Sequence, residues 1–220
     1  MNVDIAVNRL TGLHAVLTDS RKPSFDGLRE LYVLLREGEV CEPLDPSKAS
    51  VSGGMGSLFC ADPDRHDHMQ ECARSLFGPT DVGRRHSPVK MFGGALLLGN
   101  GLDASRVPFS ADADADVMAQ LLIGQMVGGL ENFALIYHFP CGFACKAGKS
   151  RREVLKAGPK AKEYIGRCWR TVGIRQLKIF ILLHFDFGDG EMVIAHVAKE
   201  KMVTWLRENE GRHTEVLDVV

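Results

Sequence analysis

The chain lacks any long apolar run. No stretch approaches the roughly 18–20 consecutive apolar residues that span a bilayer, which argues against a transmembrane helix. A charged leader followed by an apolar segment is missing as well. The start reads MNVDIAVNRLTGLHAVLTDSRK, so no secretory signal is expected, and a cytoplasmic location is. No charge of one sign dominates. Lys and Arg number 27 against 28 Asp and Glu, a formal net charge of -1, which gives no electrostatic footprint for a nucleic acid. There is no internal repeat and no low-complexity tract, so a repeat architecture is excluded.

What is present suits a globular protein. The chain has 220 residues, 45% hydrophobic and 25% charged, enough for a sizeable core in one large domain, or in one domain with an appended arm. The six cysteines are Cys41, Cys60, Cys72, Cys141, Cys145 and Cys168. They are scattered over a chain too long to depend on disulfides. In a reducing compartment they read as core thiols, metal ligands or catalytic groups.

Residues 1–48 read as an N-terminal helical arm and residues 49–220 as an α/β domain. In the arm, SFDGLRELYVLLREG (24–38) carries Leu28, Leu31, Leu34 and Leu35 on one helical face, with Ser24 as an N-cap. EPLDPSKAS is a turn-rich linker. A buried strand follows at 56–62, then an amphipathic helix at 66–78 closed by Gly78 and a loop at 78–88. An apolar strand with glycines fits 89–100, and a helix with an acidic first turn fits 112–130. Residues 132–139 form a third strand. A basic helical stretch at 149–172 is interrupted at Gly158-Pro159. A strand at 176–188, a turn at Asp189-Gly190, an antiparallel strand at 191–198 and a helix at 199–209 complete the order. Strands alternating with helices predict a mostly parallel sheet covered on both faces, with an antiparallel edge strand.

In such a sheet, ligands bind beyond the carboxyl ends of the strands, near the point where strand order reverses. Two strands end in reactive residues: the first in Cys60-Ala61-Asp62, the third in His138-Phe139-Pro140-Cys141-Gly142. If these strands are neighbours, Cys60, Asp62, His138 and Cys141 converge in one crevice. Two thiolates and an imidazole are good zinc ligands and leave a fourth position open.

These two motifs resemble the β-class carbonic anhydrases, which carry C-x-D-x-R at the end of the first core strand and H-x-x-C-G at the end of the third. The likeness covers roughly residues 50–200, and LLHFDFGDGEMV (182–193) is similar to that family's last strand and turn. The resemblance implies a Zn2+ ion held by Cys60, His138 and Cys141. It implies an enzyme that hydrates carbon dioxide to bicarbonate, and a homodimer or higher homo-oligomer embraced by N-terminal helices. Zinc lowers the pKa of bound water to ~7, and Asp62 orients the resulting nucleophile. Asp64 stands at the family's arginine position, and Arg65 one place later. Two forms follow. Either Arg65 reaches Asp62 and keeps it off the metal, or Asp62 closes the site as a fourth ligand. The same residues also fit a non-catalytic zinc-binding domain, or a hydrolase of a related linear molecule such as carbonyl sulfide or carbon disulfide.

Other features carry rival readings. Gly148-Lys149-Ser150 suggests a phosphate loop, but Phe143 stands where that loop needs glycine. Lys149, Arg151 and Arg152 read instead as a solvated basic helix start. His66, His68 and Cys72 offer a second metal set, with His68 and Cys72 sharing a helix face; a polar helix start over a buried thiol competes with it. Cys145 reads as a packed helix cysteine, His184 and His196 as satisfied sheet histidines, and DADAD as a capped helix start.

Overall fold

The computed structural model describes residues 14, 18, 20–45, 54–75, 86–91, 93–98, 110–173 and 177–220. Its six-stranded sheet consists of β1 (Cys41–Pro43), β2 (Gly54–Cys60), β3 (His86–Met91), β4 (Leu130–Phe139), β5 (Lys178–Asp186) and β6 (Met192–Val197). Their order across the sheet is β1-β6-β5-β4-β2-β3. β3, β2, β4 and β5 run parallel, and β6 pairs antiparallel with both β5 and β1. The expected architecture is therefore present, a mostly parallel α/β sheet with an antiparallel edge.

The central strands are apolar along their whole length because both faces are covered, as parallel sheets require. Every residue of β2 is buried, as is nearly every residue of β4. Alternation divides β4 between two cores. Phe133, Leu135, Tyr137 and Phe139 join the larger cluster with Val154, Leu155, Ile165 and Trp169. Ala134 and Ile136 join a smaller one with Met69 and Ala73. The first face is covered by α5 (Arg151–Thr171), and the second by α2 (His66–Ser75).

The remaining helices are α1 (Leu28–Glu37), α3 (Ser110–Gly128), α4 (Gly142–Lys146), α6 (Lys199–Glu208) and α7 (Thr214–Leu217). From the arm, Leu28, Leu31 and Leu35 of α1 enter the larger cluster, and β1 joins the sheet just beyond. Glu42 and Pro43, read above as linker, are thus an edge strand. Three residues are too few to show a period of two, and an edge tolerates proline.

Several local expectations differ. Ser24 does not cap α1. The residue before the helix is Gly27 in a left-handed conformation, and the Ser24 hydroxyl accepts from Asp26 N at 3.1 Å. The strand expected over 89–100 is β3 followed by a 3-10 turn at Gly94–Leu97, because Gly93 and Gly94 take φ of 81° and 49° and turn the chain. α5 runs unbroken through Pro159. Gly158 lies against Ile181 and Tyr137, so packing on the sheet overrides the local penalty.

Arg151 and Arg152 are buried, not solvated. Arg151 donates to the carbonyls of Val216 (3.2 Å) and Ser24 (2.9 Å). Arg152 pairs with Asp218 at 2.7 Å and donates to the carbonyls of Asn209 and Arg212. Ser150 is engaged in a capping box with Glu153. Gly78, most of the 78–88 loop and the side chains at the start of DADAD lie outside the described residues.

Candidate metal centre

β2 and β4 are neighbours, and strand order reverses between them: β3 lies beyond β2, and β5 beyond β4. Their carboxyl ends therefore open onto one crevice. β2 ends on Cys60. Just beyond His138, β4 turns through a cis Phe139–Pro140 bond and delivers Cys141 as the N-cap of α4. The donor atoms of Cys60, His138 and Cys141 all lie within 4.8 Å of one another, and all three residues are buried. This cluster could hold a metal ion.

The fit of a metal rests on His138. Its side chain is 2% exposed, and neither ring nitrogen has a hydrogen-bond partner. An unsatisfied buried polar atom costs ~1–3 kcal/mol, and a metal–nitrogen bond would offset that. The two sulfurs are softer donors, and with one imidazole they form a set suited to zinc.

The thiols are biased unequally. Cys60 is held well below the usual thiol range. The chief cause is a hydrogen bond from Cys141, helped by the His138 imidazole and by Gly93 N–H, and burial opposes it. Cys141 is pushed well up by its contact with Cys60, by burial and by the Cys60 charge, despite the Ala144 and Phe143 amides. Ala144 N donates to Cys141 Sγ at 3.4 Å. The two thiols are thus pushed in opposite directions, Cys60 toward the thiolate and Cys141 away from it.

Gly93 and Gly94 form the wall beside Cys60. A Cβ on Gly94 would lie 2.4 Å from Cys60 N, and its φ of 49° already disfavours side chains. Gly94→Ala is expected to destabilise the protein by at least ~1–3 kcal/mol and to weaken metal uptake, read by urea denaturation and metal titration.

Asp62 and Arg65 are brought together. Arg65 Nη1 pairs with Asp62 Oδ2 at 2.9 Å. The other oxygen of Asp62 accepts from Asp64 N at 3.0 Å, an Asx-type turn, while Arg65 N bonds the Asp62 carbonyl. That turn brings Arg65 back over Asp62. Asp64 is exposed.

Sequence reasoning missed a third member. Arg65 Nε pairs with Asp186 Oδ2 at 2.8 Å, and Asp186 Oδ1 accepts from Gly188 N. Phe25 lies under the same guanidinium at 5.8 Å. The available signal was the position of Asp186 at the carboxyl end of a parallel strand, on the same rim as Cys60.

His184 and His68 are linked, Nε2 to Nδ1, at 2.8 Å, with Cys72 Sγ 3.9 Å from His68 Nε2. His184 is therefore only partly satisfied, since its Nδ1 has no partner. The side chain of His66 lies outside the described residues. His196 is exposed beside Phe180. Cys145 is buried, and none of the six cysteines is bridged.

A cleft of about 20 Å³ lies beside Cys141, lined in part by Phe139, Pro140 and Ala144, with room for about one water-sized molecule. A cavity of about 780 Å³ lies elsewhere, along β1 and α1, and no residue of the donor cluster lines it. Among the described residues, no helix is long and apolar enough to cross a membrane. No known family, curated protein or solved structure matches the chain.

Proposed function

We propose that the protein is a zinc-dependent lyase that hydrates carbon dioxide to bicarbonate, with Cys60, His138 and Cys141 holding the metal. The observation that carries this reading is the buried three-donor cluster with its unpartnered imidazole. The resemblance of the two motifs supplies the reaction class. When bound, zinc supplies a Lewis acid that brings the pKa of a coordinated water to ~7. Asp62, two residues after a ligand, would accept a hydrogen bond from such a water and orient it. Arg65 holds Asp62 back from the donors, and Asp186 holds Arg65 from the far side. These pairings support the open form of the site.

A homo-oligomer belongs to the same reading. Leu122, Ile123, Met126 and Val127 of α3 are exposed apolar residues at helical spacing, a face suited to a second copy. Light scattering reads the mass directly.

Metal loading gives a protonic signature. Both sulfurs must bind as thiolates, and the site lowers the Cys60 pKa while raising that of Cys141. In weak buffer at pH 7 the two sulfurs are expected to release fewer protons on zinc addition than the two of an unperturbed thiol pair, with a coordinated water of pKa ~7 adding about half a proton more. Raising the pH lowers the sulfur count as Cys141 ionises. Acidification raises it as Cys60 takes up its proton.

The decisive experiment is stopped-flow carbon dioxide hydration on zinc-replete protein, after metal analysis. The expected result is one zinc per chain and a rate well above buffer. One zinc with no rate above buffer would leave a structural zinc site and sink the enzyme. A chain that takes up no metal would overturn the proposal altogether.

A further inference from the structure

Among the described residues, the buried side-chain nitrogens and oxygens without a hydrogen-bond partner are His138 Nδ1, His138 Nε2 and His184 Nδ1. They belong to neighbouring residues. His138 and His184 are directly paired in the parallel register of β4 and β5, so their side chains leave the same face of the sheet, the one toward α2. His184 is fully buried.

On the reading above, a metal takes one of the two nitrogens of His138. The other then carries a proton and needs an acceptor, as metal-bound histidines almost always do. One nitrogen in the neighbourhood lacks a partner, and it is His184 Nδ1. A metal bond and a single hydrogen bond would therefore satisfy all three orphaned atoms.

The tautomers agree along the whole row. If His184 Nδ1 accepts, its proton sits on Nε2, which faces His68 Nδ1 at 2.8 Å. His68 Nδ1 then accepts, and its own proton sits on Nε2, which faces Cys72 Sγ at 3.9 Å. Each ring donates outward and accepts from the metal side.

We infer that His184 is a positioning residue for the metal ligand. Its Nδ1 accepts the N–H of His138, directly or through one water, and His68 fixes its tautomer from the half-buried end of the row. This rests on His138 being a metal ligand, so the test separates the two claims.

The first measurement is zinc affinity by competition with a chromophoric chelator, on the full chain, for the parent and for His184→Phe, His184→Gln and His68→Ala. His184→Phe removes the acceptor and is expected to lose ~10–100-fold in affinity while still binding one metal per chain. His184→Gln keeps one acceptor and one donor and is expected to restore most of the loss. His68→Ala, at a half-buried position, loses less in the same direction and remains informative if His184→Phe does not fold. The second measurement is the nitrogen-15 spectrum of the histidine rings, which reads the His184 tautomer. An N–H on Nε2 and an acceptor at Nδ1 are expected. Parent-like affinity in both His184→Phe and His68→Ala, or a proton on His184 Nδ1, would overturn the inference. Failure of the parent to bind zinc at all would instead sink the metal site, and this inference with it.

Discussion

Cys60→Ala is expected to empty the metal centre and abolish hydration. Metal binding by a buried site of this type is worth ~10–16 kcal/mol in total. Removing one donor of three forfeits about a third of that, ~3–5 kcal/mol, or ~10²-fold or more in affinity. The fold should tolerate the change, since the side chain sits at the end of β2 and its neighbours Leu58 and Phe59 keep their packing. Metal analysis after dialysis, a circular dichroism spectrum and the stopped-flow rate check the three parts. A variant that retains metal and rate would remove Cys60 from the ligand set.

Arg65→Ala is expected to produce the second large effect, by a different route. Arg65 is buried between two carboxylates, each at about 2.8–2.9 Å. Removing it leaves Asp62 and Asp186 facing each other without a cation. Breaking a buried ion pair from one side costs ~3–5 kcal/mol, so the urea midpoint should fall by a large fraction of the protein's stability. The catalytic consequence is separate. Freed of its partner, Asp62 can swing toward the donors and occupy the fourth position. Hydration should therefore fall far more than zinc content does. The cobalt-substituted protein should show an altered absorption spectrum, as expected for a fourth protein ligand. Arg65→Lys keeps the charge but loses the two-sided geometry and should recover stability better than rate. A variant with parent activity would remove the Asp62–Arg65 pair from the mechanism.

Much of the fold was legible from local pattern. Continuous apolar runs gave β2, β4 and β5, and the position of their reactive residues at strand ends followed from the parallel arrangement. The donor set was legible for the same reason. A histidine and a cysteine flank one strand exit, and Cys60 ends a neighbouring strand. What escaped was set by long-range contact. His184 and Asp186 look like ordinary strand residues until the register of β5 against β4 sets His184 beside His138 and Arg65 reaches across to Asp186. Arg151 and Arg152 look solvated until the carbonyls of residues 209–216 and the Asp218 carboxylate close over them. Gly93 and Gly94 resemble strand glycines, but both take positive φ, Gly93 against the Phe143 ring and Gly94 against the backbone of Cys60. In each case the deciding partner lies far away in sequence, where periodicity carries no information.

The direct pairing of β2 with β4 has an evolutionary consequence. Gly56↔Phe133 through Leu58↔Leu135 lock the two strands side by side, and the Cys60 and His138 donors are carried on their ends. Their spacing is therefore set by the ladder and not by the length of chain that joins them. The chain that joins them can lengthen or shorten between its elements, provided the Asp62–Arg65 turn, α2 with His68, β3, the Gly93–Leu97 turn and α3 are kept, without moving one donor relative to another. The crossover is a region where sequence can diversify, and where new loops can alter access to the crevice, while the chemistry below stays in place.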